Sequence, residues 1–138
     1  MGVCVVIKIE WQEGMEFFQE VRMTGVDIGE LKRLLTMKNL PMLCSSVQTV
    51  SCSNTREGDM YCVWGAFDVV RDEIRYGVRF SLLNCPHALA WTITYHEADS
   101  RIVIHCTISE TEQDEIFVDS IHEFVTAWSE GLSRRLKP

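Results

Sequence analysis

Reactive side chains lie closest together in "SLLNCPHALAWTITYHEADSRIVIHC", residues 81 to 106. Cys85 and His87 flank Pro86, and His96, His105 and Cys106 follow. Such groups serve two chemistries: a metal held by imidazole and thiolate, or a thiolate nucleophile with a histidine base. A metal needs about three or four protein ligands. Cys85 and His87 sit too close in sequence to give more than two, and no third ligand is in view. Asn84 and Pro86 are turn formers, so this stretch reads as a hairpin loop. No metal and no cofactor are expected.

The remaining cysteines, Cys4, Cys44, Cys52 and Cys62, are scattered, and none of the six forms a CxxC pair. The start, "MGVCVVIKIEW", lacks the basic region and small-residue cleavage site of a signal peptide. The expectation is therefore a cytoplasmic chain with free thiols, several packed as small hydrophobes.

Period-two patterns position these groups. In "EIRYGVRFSL", Ile74, Tyr76, Val78, Phe80 and Leu82 alternate with polar residues or glycine, as in a strand with one buried face. "ALAWTITYH" alternates through Leu89, Trp91, Ile93 and Tyr95, and "RIVIHCTIS" through Ile102, Ile104, Cys106 and Ile108. "MYCVWGAFDVV" adds Tyr61, Val63, Phe67 and Val69. These give an antiparallel meander of at least four strands over 60–109. Turns at Arg71–Asp72, Asn84–His87 and Ala98–Asp99 align four apolar rows. These are Val63, Phe80, Trp91, Cys106; Tyr61, Leu82, Leu89, Ile108; Gly65, Val78, Ile93, Ile104; and Phe67, Tyr76, Tyr95, Ile102. The same register puts Trp64 beside Arg79, and Asp68 opposite Arg75, on a mostly polar outer face, with His96 and His105 in different rows.

A helix is predicted over 111–136, where Phe117, Ile121, Phe124, Trp128 and Leu132 recur at helical spacing. Thr111 and Asp114 suit its start, and "RRLK" at 134–137 suits its negative end. It is long enough to cover the apolar sheet face. His122 points with Asp119 and Glu123 toward solvent. An N-terminal strand is predicted over 2–11, through Val3, Val5, Ile7, Ile9 and Trp11. Residues 13–23 fit either a returning strand or a helix. "DIGELKRLLTMK" is a short helix begun by Asp27 and Glu30 and stopped by Pro41. "SSVQTVSCSN" reads as an edge strand.

The 138 residues suit a single α+β domain, with 46% hydrophobic and 24% charged residues. No apolar run approaches the roughly 18 residues of a membrane span. A net charge of −7 argues against nucleic-acid or anionic-membrane partners, which select a basic surface.

This order of strand, short helices, meander and long final helix resembles the helix-grip arrangement of START- and Bet v 1-like domains. That resemblance implies a curled sheet gripping the last helix around an apolar cavity. Small acidic secretion chaperones are a second analogy, although they usually open on a helix. A pocket between sheet and helix would be lined by Phe67, Tyr76, Phe80, Trp91 and Tyr95, with Tyr61 and Cys106. That lining lacks carboxylate, histidine and lysine, so the usual acid–base groups are missing. GxSxG, HExxH and phosphate-loop motifs are also missing. The expected function is non-enzymatic binding of an apolar or aromatic small molecule, with any ligand packing on Tyr76, Tyr95 and Trp91. The alternative is a protein-interaction module (homodimer, adaptor or chaperone-like) that uses the outer face around Trp64 and Arg79.

Overall fold

The computed structural model describes residues 5–9, 14–109 and 114–136. Thr111 and both ends of the expected 2–11 strand fall outside these residues. Within them the order is β1 (Val5–Ile9), β2 (Gly14–Arg22), α1 (Ile28–Leu34), a 3-10 turn (Met37–Asn39) and α2 (Leu40–Leu43). There follow β3 (Val47–Cys52), β4 (Glu57–Cys62), β5 (Gly65–Ile74), β6 (Gly77–Leu82), β7 (Ala90–His96), β8 (Arg101–Ile108) and α3 (Glu115–Arg135). The strands form one antiparallel sheet of order β1-β2-β8-β7-β6-β5-β4-β3.

Of the ambiguous segment 13–23, residues 14–22 form strand β2, which pairs with β8 so that Phe17 lies opposite Cys106 and Val21 opposite Ile102. An amphipathic helix would leave Phe17 without this inner row. Asp27 caps α1 by accepting from the Gly29 N–H at 2.9 Å. α1 ends at Leu34, earlier than expected. Pro41 does not stop it but sits in the first turn of α2, where its missing N–H costs nothing. Asp114, three residues after Thr111, is the N-cap of α3 and accepts from the Phe117 N–H at 2.8 Å.

Two of the three expected hairpins have the expected register. Phe80 pairs with Trp91 and Trp91 with Cys106; Val78 pairs with Ile93 and Ile93 with Ile104. The first hairpin differs. β5 turns into β6 at Arg75–Tyr76, so Arg71 faces Phe80 and Val69 faces Leu82. A second tight turn at Val63–Trp64 separates β4 from β5, with Cys62 opposite Gly65. Gly65 has φ +117°, which disfavours a side chain. The expected pairs Trp64–Arg79 and Asp68–Arg75 therefore do not form. Arg79 pairs with Asp72 and Thr92, and Asp68 faces Asp59. A hydrogen bond with Asp59 pushes the Asp68 carboxyl above its ordinary range.

α3 lies over β2 and β8 and closes one core with the inner sheet face. Phe17, Phe80, Trp91, Phe124 and Trp128 are all buried there. α2 packs on α3, with Leu40 and Leu43 fully buried. The described cysteines, Cys44, Cys52, Cys62, Cys85 and Cys106, form no disulfide. None of the described helices is long and apolar enough to cross a membrane.

Candidate functional site

The space between the sheet and α3, where a ligand was expected, is filled by aromatic rings. Phe80 stacks on Trp91 at 5.2 Å between centroids, Trp91 meets Phe124 edge-on at 4.9 Å, and Trp128 lies 6.2 Å from Phe80. Trp91 and Phe80 belong to this packing. Tyr95 is also buried, and its hydroxyl donates to the Met23 carbonyl at 3.0 Å. Tyr76 caps the β5–β6 turn and is 48% exposed, with the Arg75 guanidinium over its ring. Phe67 lies toward the other end of β5, in a small hollow shared with Trp64, Cys85, His87 and Phe117. Of these five residues, Phe67 alone lines this hollow, and none lines the larger cavity beside α1.

Trp64 is not an outer-face anchor. Its indole N–H donates to Ser120 Oγ of α3 at 2.8 Å, and its ring lies 5.0 Å from Phe124. Arg79 remains exposed on the outer face, where its Nε donates to Ser81 Oγ at 3.3 Å. Trp64 and Arg79 therefore do not share one outer-face patch.

The reactive groups are also engaged structurally. The His87 ring packs 4.4 Å from Phe117, and its carbonyl accepts from the Ser109 N–H at 2.8 Å. His105 stacks on Phe18 and bonds Glu16 at 2.7 Å. His122, expected to face solvent, is instead half-buried and packs edge-on against Phe17. Burial pushes the Cys44 thiol up to about 12, leaving almost no thiolate at neutral pH. Among the described residues no group of three or more His, Cys, Asp or Glu could hold a metal.

A larger cavity, of about 830 Å³, opens between α1 and the β3–β5 side of the sheet. α1 and the chain after it supply Lys32, Arg33, Thr36, Met37 and Lys38. Cys52, Asn54 and Thr55 form the facing wall, and Arg71 and Glu73 of β5 form the floor. Arg71 is only 9% exposed. Its Nε donates to the Leu35 carbonyl at 2.6 Å, its Nη2 to the Lys32 carbonyl at 2.8 Å, and its Nη1 to Glu73 Oε2 at 3.3 Å. A buried cation is tolerable here because it meets carbonyls at the negative end of α1 and a carboxylate.

The sequence matches no family model and no curated protein. Its shape matches an uncharacterised protein from Bacillus thuringiensis at 11% identity and TM-score 0.59, covering 88% of this chain and 97% of that one. XoxI from Bacillus cereus matches at 12% identity and TM-score 0.61, covering 88% and 94%. A START superfamily protein from Mycobacterium smegmatis matches at 7% identity and TM-score 0.60, covering 88% and 97%. The chain has the helix-grip fold. At these identities the likeness is one of fold alone.

In this helix grip, Arg71 ties α1 to the sheet and forms the cavity floor. Sequence reading placed it in a turn, because a charged residue fits a buried sheet face only when its partners are known. Arg71→Met keeps the aliphatic volume and removes the donors, leaving the Lys32 and Leu35 carbonyls without them. Each unpaired buried acceptor costs about 1–3 kcal/mol, and water from the cavity relieves part of this. The expected loss is about 1–2 kcal/mol, read as a lower urea midpoint at unchanged slope. An unchanged midpoint would show that Arg71 does not hold α1.

Proposed function

We propose that the chain is a non-enzymatic small-molecule-binding domain whose ligand occupies the cavity beside α1. The cavity itself carries this reading. Its volume of about 830 Å³ lies within the roughly 300–1,000 Å³ of small-molecule sites. The helix-grip resemblance implies an apolar cavity between sheet and last helix. Here the aromatic rings occupy that space, and the open volume lies toward α1. Met37 and the aliphatic stems of Lys32 and Lys38 provide apolar wall. The lining contains no histidine, and its one carboxylate, Glu73, is held by Arg71. Lys32 and Lys38 are further acid–base groups of this lining, and neither ammonium forms an ion pair among the described residues that would position it for proton transfer.

The test is a thermal-shift screen of small apolar and aromatic compounds on the wild type and on Thr55→Trp. Thr55 is exposed on the cavity wall, so a ring there fills the space without touching the core. A compound at about a hundred times its Kd adds roughly 2.7 kcal/mol, several degrees of Tm for a chain of this size. Such compounds should stabilise the wild type and not Thr55→Trp. Equal stabilisation of both would move the ligand elsewhere, and no stabilising compound in the whole screen would end the reading.

A further inference from the structure

The cavity beside α1 has the opposite charge balance to the protein around it. The chain carries a net charge of −7, yet Lys32, Arg33, Lys38 and Arg71 line this cavity against the single acid Glu73. Arg71 is committed to Glu73 and to the α1 carbonyls. Lys32, Arg33 and Lys38 form no ion pair among the described residues, which is also true of Arg75 and Arg79 on the sheet; what sets the three apart is that they line one concavity. Cations in the last turn of a helix often serve its dipole. Here Arg71 already takes the Lys32 and Leu35 carbonyls, and Lys38 lies beyond the helix. The dipole therefore accounts in part for Lys32 and Arg33 but not for Lys38, nor for the gathering of all three around one concavity. Three cations beyond the Arg71–Glu73 pair leave the cavity with excess positive charge, and an anion placed there is attracted by it. A concave, low-dielectric wall concentrates the effect.

We propose that the ligand of this cavity is an amphiphile with one oxyanionic group, a carboxylate or phosphate, on a short apolar body. Lys32, Arg33 and Lys38 take the charge, and the body lies against Met37. This rests on the reading of the cavity as the ligand site. The nearby exposed thiol of Cys52 lines the same cavity and gives a local readout of occupancy.

The experiment titrates wild type and Arg33→Gln/Lys38→Gln with sodium octanoate, octyl phosphate, 1-octanol, octyltrimethylammonium and inorganic phosphate. Calorimetry gives the affinity, and the alkylation rate at Cys52 reports whether the cavity is filled. Both substituted residues are exposed and make no side-chain hydrogen bond or ion pair among the described residues. The wild type should bind octanoate or octyl phosphate at least about tenfold more tightly than octanol, and either should slow alkylation at Cys52 but not at Cys85. The double variant should lose that preference and keep its octanol affinity. Octanoate binding more tightly than octyl phosphate assigns the carboxylate, and the reverse order the phosphate. Octanol or the ammonium compound binding as tightly as the anions, with Cys52 protected, would overturn the anion assignment while leaving the cavity a ligand site. Inorganic phosphate alone binding as tightly as octyl phosphate would overturn the amphiphile. No protection of Cys52 by any of the five would overturn this inference, while the proposed function stands or falls on the separate screen of the wild type and Thr55→Trp.

Discussion

Replacing Trp128 with alanine is expected to destabilise the protein by about 3–5 kcal/mol, the usual cost of emptying a buried aromatic site. That is a fall in Tm of roughly 10–20 °C for a chain of this size. Trp128 is fully buried in α3 and touches Phe80 at 6.2 Å and Trp91 at 6.3 Å between centroids. The surrounding rings are held by the sheet and cannot collapse into the space. The indole N–H finds no acceptor among the described residues, so the side chain stabilises by packing and not by hydrogen bonding. Trp128→Phe separates the two contributions. It keeps one ring and removes an orphan donor worth roughly 1–3 kcal/mol of penalty, so its net loss should be about 1 kcal/mol or less. Thermal and urea denaturation of the two variants check this. Equal large losses would show that the indole N–H has a partner, and an unchanged Trp128→Ala would show that α3 does not close the core.

The contrast between legible and illegible parts of this fold follows from what a period of two can encode. Alternation in β6, β7 and β8 identified the buried face, and two short turns then determined the Phe80–Trp91–Cys106 row found in the structure. The same alternation cannot separate registers that differ by an even number of residues. In the expected hairpin Phe80 faced Val63; in the structure it faces Arg71. The shift of eight residues keeps every odd residue of β5 on the inner face. Apolar content favoured Val63. In the structure that place goes to Arg71, whose donors reach the Lys32 and Leu35 carbonyls, more than thirty residues away in the chain. No local pattern announces it. The Val63–Trp64 turn was hidden for a related reason, because it carries neither an Asn-Gly nor a Gly-Gly pair. Its omission put Tyr61 on the inner face, although it is 50% exposed and Met60 takes the buried place. The cavity was missed because its walls come from three separated segments, α1 with the turn after it, the β3–β4 connection and β5. The charges that distinguish it share no spacing in the chain.

Gly131→Ala tests whether the helix grip and the cavity are mechanically joined. A β-carbon at Gly131 would lie 1.7 Å from the Leu43 carbonyl oxygen and 2.6 Å from its carbon. Both are backbone atoms of α2, so no rotamer change relieves the collision. Two opposing effects follow. Alanine in place of glycine favours an α-helix by about 1 kcal/mol. Overpacking usually costs about 1–3 kcal/mol, and the upper end applies because α2 must move as a body with Leu40 and Leu43, both fully buried. The expected net loss is about 2 kcal/mol, measured by urea denaturation. Ser133→Ala, at an exposed position on the opposite side of the same helix, should change stability far less. Displacement of α2 also drags the Met37–Asn39 turn, which carries Met37 and Lys38 at the cavity wall. Gly131→Ala should therefore quicken alkylation of Cys52 on the facing wall, although Gly131 is no part of the cavity lining. If stability rises instead, helix propensity has won and α2 yields without cost. If stability falls while Cys52 reacts at its normal rate, α2 moves without its turn, and the cavity wall is held by α1 and Arg71 alone.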